Sequence, residues 1–393
     1  MMNSLKTLFL FELLLIWMVG PLSPALGVGE SGPTPPAQPD SGPGGREYPH
    51  QDVRKSVYGE GDLEYWLFEP ADPVPRSSPV VIFLHGWSGM NPAHYGGWID
   101  HLARRGNIVI FPRYQASLRT PVKDFTPHAV QALQSAFAEL KKSDHVQPEL
   151  DKVAVVGHSM GGELTPNVAA LAKESGLPVP KALMTVEPGK TWTLSEMIRV
   201  HLEDLTKIDP STLLLAVAGE DDNIARDIDA KKIFKGTPQI PPANKNYIVV
   251  RSDDHGKPPL KASHFSPASI DQAYDSGEKP SSMRSGGGEG PDSPPKGKLR
   301  EKLKERIKNR MAEQGSKEYG EMPDLTSEDL ARFSINALDF YGYWKLFDGL
   351  TDAAFYGKNR EFAFGNTPQQ RFMGTWSDGV PVKELKVMTG PFK

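Results

Sequence analysis

Short apolar segments and amphipathic segments alternate along most of the chain. Near its beginning, residues 52–58 and 63–69 alternate between apolar and polar side chains, which predicts an antiparallel pair of strands. Six later segments are short and mostly apolar, as buried strands are. These segments are 79–84, 108–112, 153–156, 182–186, 213–218 and 247–251.

Helical patterns lie between the later apolar segments. They cover residues 95–105, 127–142, 161–175, 194–205 and 224–234. Alternating strands and helices predict an α/β fold in which helices cover both faces of a mostly parallel central sheet. A further helix is predicted from residue 326 to about residue 347, whereas the chain from Asn366 onward has no clear pattern. In such folds, ligands bind at the carboxyl ends of the strands.

A Gly-x-Ser-x-Gly pentapeptide at residues 157–161 follows the predicted strand 153–156 directly. A strand, a sharp turn and a helix in this order predict a nucleophile elbow with Ser159 at its tip. Glycine is expected on both sides of the serine because larger side chains would clash with the neighbouring strand and helix. The helix beyond Ser159 directs its free N–H groups and its positive dipole end at any negative charge that forms there.

A serine nucleophile needs a base, and the base needs an orienting acid. In a fold of this class, the acid and a histidine follow the serine in that chain order. The acid is expected in the loop after residues 213–218, where Asp222 is the first choice and Asp221 the alternative. One of these two aspartates is also expected to cap the following helix.

Two histidines after the predicted strand 247–251 are candidates for the base. His264 is favoured by its local sequence, with small residues before it and Phe-Ser-Pro after it. His255 lies closer to the strand, as a typical catalytic histidine would, and remains the alternative. The sequence Asp-Asp-His at 253–255 could form part of a metal site, but no further ligands accompany it, so no metal is expected.

An oxyanion that forms at Ser159 requires two N–H donors directed at the developing charge. The backbone N–H of Met160 is one candidate. The other is the N–H of Trp87, in the loop that follows the predicted strand 79–84. Gly86 allows that loop to turn inward, which would bring the Trp87 ring beside the acyl group.

Four motifs together resemble the α/β-hydrolase superfamily. Within it, the chain is similar to bacterial cutinases and polyester hydrolases and to dienelactone-hydrolase-like esterases. The motifs are Phe-Leu-His-Gly-Trp at 83–87, Gly-His-Ser-Met-Gly-Gly at 157–162, Asp-Asn-Ile-Ala at 222–225 and Ser-His-Phe at 263–265. The resemblance implies an esterase fold, a triad of Ser159, His264 and Asp222, and an oxyanion hole formed by the backbone N–H groups of Trp87 and Met160.

The expected activity is therefore cleavage of carboxylic esters through an acyl-enzyme, with an ester as the substrate and no cofactor. An acyltransferase or an amidase or peptidase on the same fold is the first alternative, because a triad does not distinguish these reactions. A non-catalytic binding protein is the second alternative. Such a protein would normally have lost a triad residue or an elbow glycine, and the sequence retains all of them.

The N-terminal residues have the pattern of an export signal. Residues 1–27 contain Lys6, an apolar segment at 8–19 and small residues before Gly27, which predicts a cleaved signal peptide and a periplasmic or secreted protein. An uncleaved membrane anchor is the alternative, but the apolar segment is short and contains Glu12, so no stable membrane span is expected. Residues 28–46 are rich in Gly, Pro and Ser and predict a disordered spacer.

The remaining residues, 47–393, are expected to form one domain with an insertion at 276–323. The insertion begins with a low-complexity segment and continues into a basic amphipathic helix, 298–313. A solvated surface helix is the favoured interpretation, and a weak contact of 298–310 with an anionic surface is the alternative. The chain has 45 basic and 49 acidic residues, which does not favour nucleic acid as a partner, and it has no cysteine for a disulfide or a thiol nucleophile.

Overall fold

The computed structural model describes residues 32–189, 200–277 and 334–388. Its strands are β1 (Asp52–Tyr58), β2 (Tyr65–Ala71), β3 (Ser77–Leu84), β4 (Ile108–Pro112), β5 (Gln147–His158), β6 (Ala182–Val186), β7 (Leu213–Gly219), β8 (Lys245–Val250) and β9 (Lys386–Met388). Its helices are α1 (Gly96–Arg104), α2 (Phe125–Glu139), α3 (Met160–Leu171), α4 (Ile228–Gly236), α5 (Lys345–Tyr356) and the single turn α6 (Pro368–Arg371). A π-helical segment, Leu338–Trp344, leads directly into α5.

The strands form one sheet in the order β1-β2-β4-β3-β5-β6-β7-β8-β9. The strands from β3 to β8 are parallel to one another, whereas β1, β2 and β9 are antiparallel to the strands they pair with at the two sides of the sheet. The α/β class predicted from the alternation of strands and helices is confirmed. The parallel arrangement brings the carboxyl ends of β5, β6, β7 and β8 to the same edge of the sheet.

Both faces of the sheet are buried, so the molecule has three layers. On one face, Val81 and Phe83 of β3 belong to a core shared with α1, the π-helical segment and α5. On the other face, Val80 and Ile82 pack in a core that includes α2 and α3. Consecutive strand residues point to opposite faces, which is why the central strands are apolar without interruption.

Most predicted strands agree closely with the observed ones, but β5 begins at Gln147, six residues before its prediction. The helix predicted over 161–175 ends at Leu171, and two further helices differ more. The helix predicted over 224–234 begins only at Ile228, because the Asp222 side chain accepts the N–H groups of Ile224 and Ala225 and holds them in a loop. Of the helix predicted over 194–205, residues 194–199 lie outside the described residues. Residues 200–204 are not helical, and a 3-10 turn follows at Leu205–Lys207.

The C-terminal part contains structure that the sequence pattern did not predict. Residues 334–336 are not helical, and the helix expected to end near residue 347 continues to Tyr356. Gly357 then ends it in the left-handed conformation, with φ of 65°. Beyond Asn366 the chain forms α6 and then β9, which pairs with β8 and extends the sheet.

The prediction of a disordered spacer is wrong for residues 32–46. This segment is hydrogen-bonded to distant parts of the domain: the Gly44 N–H donates to the buried Asp348 carboxylate at 2.7 Å, and the Lys257 N–H donates to the Pro33 carbonyl at 2.8 Å. Its glycines and prolines form turns, and the backbone groups of these turns make hydrogen bonds to fixed partners in the domain. A Gly- and Pro-rich composition alone does not reveal those partners.

Two predictions concern parts of the chain outside the described residues. They are the signal peptide at 1–27 and nearly all of the insertion at 276–323, including its basic helix. Within the described ranges, no helix combines the length and apolar character needed to cross a membrane.

Candidate active site

Ser159 lies at the sharp turn between β5 and α3. Its backbone has φ of 57° and ψ of −121°, a conformation that L-residues rarely adopt and that is concentrated at functional sites. A Cβ atom on Gly157 would lie 2.2 Å from the Gly161 carbonyl oxygen, and one on Gly161 would lie 2.1 Å from the Leu84 carbonyl oxygen. Both positions that flank the serine turn therefore require glycine.

The structure brings Ser159, His264 and Asp222 together from three loops at the carboxyl edge of the sheet. The Ser159 Oγ lies 2.9 Å from the His264 Nε2, and the Asp222 Oδ2 lies 2.9 Å from the His264 Nδ1. The three residues are 8%, 4% and 4% exposed, respectively. They form one hydrogen-bonded series whose serine end is the most accessible to a substrate.

The partners of Asp222 define the state of this series. Its Oδ1 accepts the N–H groups of Ile224 and Ala225 at 2.8 and 2.9 Å, while its Oδ2 faces the imidazole. Burial alone would raise the pKa of Asp222, but the hydrogen bond from His264 and the two backbone N–H groups outweigh it, so the pKa is lowered. An ionised Asp222 accepts the Nδ1–H of His264, which leaves the Nε2 lone pair for the hydroxyl of Ser159.

His264 reaches this position although 13 residues separate it from the end of β8 at Val250. Asp253 and Leu260 exchange two backbone hydrogen bonds of 2.8 Å, which close the intervening chain into a short excursion. After the excursion, the Ala262 N–H donates to the Ser252 Oγ at 2.9 Å. The chain therefore returns to the end of β8 before it reaches His264.

The two alternative candidates have other partners. The His255 ring lies in the excursion, half-exposed, with its Nε2 2.8 Å from the Asp378 Oδ2. The Asp221 Oδ2 accepts a hydrogen bond of 2.6 Å from the Ser252 Oγ. Asp221 thus holds the start of the loop that carries His264. Neither His255 nor Asp221 forms part of the hydrogen-bonded series at Ser159.

The loop after β3 passes directly beside the serine. A Cβ atom on Gly86 would lie 3.2 Å from the Cβ of Ser159, so glycine permits this close approach. The Gly86 N–H donates to the Tyr95 hydroxyl at 2.9 Å. Trp87, half-buried, packs against the core on the α2 and α3 side. Met160 is the first residue of α3, where a backbone N–H has no intrahelical acceptor.

His158 is a site residue that the sequence analysis did not select. Its Nδ1 lies 2.8 Å from the Tyr95 hydroxyl, and its Nε2 lies 2.7 Å from the His264 carbonyl oxygen. Burial, and then the neighbouring His264, lowers the pKa of His158 to about 3. The ring is therefore neutral and connects the loop of Gly86 with the loop of His264. Its position immediately before the serine was the available signal.

Glu187 is the second residue that the sequence analysis missed. It follows β6 directly, is 0% exposed, and has a positive φ of 45°. Its Oε2 lies 3.8 Å from the His264 Nδ1 and 3.9 Å from the His158 Nε2. A carboxyl group at the end of the strand beside β5 could have been selected by the same rule that selected Asp222.

His158, Glu187 and His264 place ligand-type atoms within 4.8 Å of one another, close enough in principle to hold a metal ion. Each ring nitrogen of the two histidines, however, lies within 2.9 Å of a hydroxyl, carboxylate or carbonyl oxygen. This cluster is therefore arranged as a hydrogen-bond network around the imidazole of His264.

The comparisons with known proteins agree with this architecture. A family model described as alpha/beta hydrolase fold matches residues 81–243. The matched segment contains Ser159 and Asp222 and ends before His264. A comparison with curated proteins gave no significant match. The chain thus has the α/β-hydrolase fold, and the family match indicates a hydrolase.

Proposed function

We propose that this protein is a serine hydrolase that cleaves carboxylic esters through an acyl-enzyme. The observation that carries the proposal is the series Asp222–His264–Ser159, with 2.9 Å at each of the two imidazole contacts. A serine hydroxyl becomes an effective nucleophile when a base removes its proton and an acid orients that base. In this proposal, Asp222 is the acid, His264 the base and Ser159 the nucleophile.

The reaction proceeds in two half-reactions. The Ser159 Oγ forms a bond to the ester carbonyl carbon while its proton passes to the His264 Nε2, and Asp222 stabilises the imidazolium. The tetrahedral intermediate expels the alcohol, which takes that proton from His264. A water molecule then attacks the acyl-enzyme with His264 again as the base, and the carboxylic acid leaves as Ser159 recovers its proton.

The negative charge of each tetrahedral intermediate is assigned to the backbone N–H groups of Met160 and Trp87. Met160 begins α3, whose dipole also favours an anion at this end. Trp87 follows Gly86, where an added Cβ atom would lie 3.2 Å from the Ser159 Cβ. Donors of this kind typically stabilise the transition state by about 3 kcal/mol each.

Among the substrates that hydrolases cleave, we propose carboxylic esters for this protein. The motifs at 83–87, 157–162, 222–225 and 263–265 resemble those of cutinases, polyester hydrolases and dienelactone-hydrolase-like esterases. The family match, which indicates a hydrolase without naming a substrate, is compatible with this proposal.

The deciding experiment measures hydrolysis of p-nitrophenyl esters of increasing acyl length by the wild type and three variants. Ser159→Ala and His264→Ala are expected to lower kcat/KM by about 10³-fold or more. His255→Ala is the matched control, because its imidazole pairs with Asp378, and it should stay within about threefold of the wild type. Equal losses for His255→Ala and His264→Ala would contradict the assignment of the base.

The same assays separate the alternative activities. Activity on anilides but on none of the esters would indicate an amidase. Acyl transfer to an added alcohol that exceeds hydrolysis would indicate an acyltransferase. A wild type that acts on none of these substrates and whose Ser159 is not labelled by a fluorophosphonate would indicate a non-catalytic binding protein.

We also propose that the protein is exported and that residues 1–27 are removed. The support is the Lys6, the apolar segment at 8–19 and the small residues that follow. Cell fractionation with mass spectrometry of the mature N-terminus tests this proposal. A mature chain that begins near residue 28 in the periplasm or medium supports it, and an intact N-terminus in the membrane fraction favours the anchor.

A weak contact of residues 298–310 with anionic surfaces is a separate proposal, based on the basic face of the helix pattern there. Cosedimentation with vesicles of anionic lipid, compared between the full chain and a chain that lacks 298–310, tests it. Equal binding of the two proteins would contradict this contact.

A further inference from the structure

Glu187 lies near the Nδ1 of the His264 imidazole, whereas Ser159 contacts its Nε2, and the reaction described above does not use Glu187. Its backbone is fixed, since its N–H donates to the Val217 carbonyl at 2.7 Å. A Cβ atom on Gly219 of β7 would lie 2.5 Å from the Ala262 carbonyl oxygen and 2.6 Å from the Glu187 Oε1. The Glu187 carboxyl group is therefore packed closely between β7 and the loop that carries His264.

The Oε1 of Glu187 is connected to the loop that carries His264. It lies 2.9 Å from the Tyr343 hydroxyl, which lies 2.6 Å from the Ser266 Oγ. The Ser266 Oγ in turn lies 2.7 Å from the Ser263 carbonyl oxygen. Ser263 and Ser266 flank His264 on both sides, so these contacts link Glu187 to the backbone that positions the imidazole.

If each of these contacts is a hydrogen bond, counting hydrogens along them gives the protonation state of Glu187. Three oxygen–oxygen contacts need three hydrogens, and the hydroxyls of Tyr343 and Ser266 supply two. The Ser263 carbonyl can only accept, so Ser266 must donate to it and Tyr343 must donate to Ser266. The third hydrogen, between Glu187 and Tyr343, therefore belongs to the Glu187 carboxyl group.

The electrostatic surroundings agree with this count. Burial, and then the negative charge of Asp222, raises the pKa of Glu187 well above its ordinary value, and this effect exceeds the stabilisation that the hydroxyls of Tyr343 and Ser266 would give to an ionised Glu187. The Oε2 has no hydrogen-bond partner among the described residues, which would be costly for an anion. The titratable groups that face Glu187 are Asp222 after β7, His264 after β8, His158 at the end of β5, Tyr343 of the π-helical segment and Tyr95 before α1.

We propose that Glu187 is a positioning residue, held as a neutral carboxylic acid, that fixes the loop of His264 through Tyr343 and Ser266. Its neutrality leaves Asp222 as the anion that orients the imidazole. This inference rests on the proposed function, since it assigns Glu187 to the same site. An ionised Glu187 would instead offer the Nδ1 of His264 a second anion at 3.8 Å and would favour the protonated imidazole.

The first test compares Glu187→Gln with Glu187→Ala. The amide of glutamine can donate to the Tyr343 hydroxyl as the neutral acid does, whereas alanine leaves that contact unmade. Glu187→Ala is expected to lower kcat by about tenfold, and Glu187→Gln is expected to restore most of that loss. Equal kcat values for the two variants would overturn the positioning role.

The pH profile of Glu187→Gln tests the charge of Glu187. For a neutral Glu187, the acid limb of kcat/KM, which reports protonation of the base, should coincide with that of the wild type. If Glu187 is an anion, its replacement removes a negative charge beside His264. The limb should then move to lower pH by about one unit or more, and that result would overturn the proposal.

Infrared difference spectroscopy tests the protonation state without any assay of activity. The wild type minus Glu187→Gln spectrum at neutral pH should contain the carbonyl band of a protonated carboxylic acid. Asp339→Asn is the matched control, because burial also raises the pKa of Asp339 well above its ordinary value, so its band must be distinguished. If the Glu187 band is present but the wild type hydrolyses no ester, the proposed function fails while the neutral state stands. If the band is absent, the inference fails whatever the activity.

Discussion

Asp221 and Asp222 are adjacent in the chain, yet their carboxyl groups contact different parts of the site. Asp222 faces the His264 Nδ1, and Asp221 accepts from the Ser252 Oγ. We expect Asp222→Asn to lower kcat/KM by about 10³- to 10⁴-fold, because a neutral amide neither stabilises the imidazolium nor maintains the tautomer with Nδ1–H. Steady-state kinetics on a p-nitrophenyl ester measure this loss.

Asp221→Asn is the control for that prediction. The side-chain carbonyl oxygen of asparagine can still accept the hydrogen bond from the Ser252 hydroxyl, so kcat/KM should stay within about fivefold of the wild type. A larger loss for Asp221→Asn than for Asp222→Asn would reverse the assignment of the acid.

At this scale, the sequence identified some site residues much better than others. Ser159 is marked by local chemistry, since its turn requires a glycine on both sides. The preference for His264 over His255 relied on neighbouring residues alone, because the hydrogen bonds between Asp253 and Leu260 that shorten the path are long-range facts. Glu187 was missed although it follows β6 directly, because a single glutamate at a strand end does not by itself indicate a contact with His264.

Among the elements, the loop after β3 depends on a tyrosine from the segment before α1. The Tyr95 hydroxyl accepts the Gly86 N–H and lies 2.8 Å from the His158 Nδ1, to which it donates. We expect Tyr95→Phe to lower kcat by about tenfold with little change in KM, because both loops beside Ser159 lose a fixed contact that matters most in the transition state. Steady-state kinetics over a range of ester concentrations separate the two parameters.

Tyr48→Phe is the matched control for Tyr95→Phe. The Tyr48 hydroxyl also lies 2.9 Å from the Nδ1 of a histidine, His101, which contacts α5 rather than the serine loop. Each variant should lose about 1 kcal/mol in the free energy of unfolding, but only Tyr95→Phe should lose kcat. Similar kcat values for the two variants would show that the link through Tyr95 does not position the loop.

The segment 32–46 offers a test of docking because two of its glycines have the same backbone conformation. Gly42 and Gly44 both have φ of 79°, but a Cβ atom would contact nothing within 4 Å at Gly42 and would lie 2.1 Å from the Phe340 carbonyl oxygen at Gly44. We expect Gly42→Ala to lower the free energy of unfolding by about 1 kcal/mol, the cost of a left-handed alanine. Gly44→Ala should lower it by about 3 kcal/mol, since overlap adds to that cost.

Urea denaturation of both variants measures the difference. Equal losses would mean that the segment around Gly44 does not lie against the π-helical segment in solution.

The same segment shows why its docking on the domain was not predicted from the sequence. The central strands can be recognised in the sequence because burial on both faces makes them apolar throughout. A Gly- and Pro-rich segment docks through backbone hydrogen bonds, which any sequence can form, so its composition does not predict the docking.

For the whole molecule, the C-terminal chain is held against the helical layer by a buried lysine. Lys345 begins α5, is 2% exposed, and donates from its Nζ to the carbonyl oxygens of Gln370 and Phe372. Burial lowers the pKa of Lys345 from 10.5 to about 7, an effect that the negative charge of Glu384 opposes only in part. Stability should therefore depend on pH through this residue.

The sign of that dependence follows from proton binding. Between about pH 7 and 10.5, Lys345 is protonated in the unfolded chain and largely neutral in the folded protein. The unfolded state binds more protons in this window, so the contribution of Lys345 to the free energy of unfolding rises with pH, by about 1.4 kcal/mol per unit at most. Well below pH 7 both states hold the proton, and the contribution is constant and at its lowest.

We expect the difference in free energy of unfolding between the wild type and Lys345→Met to follow this course. It should be constant below about pH 6 and should then increase in favour of the wild type between about pH 7 and 10. Taking the difference cancels the titration of other buried groups, such as Glu187 and Asp339, whose pKa values are raised by burial. Urea denaturation at a series of pH values provides the measurement, and the constant region at low pH serves as its internal control. A difference that stays constant up to pH 10 would mean that Lys345 keeps its proton in the folded state, and the contacts with Gln370 and Phe372 would then hold a charged ammonium group inside the protein.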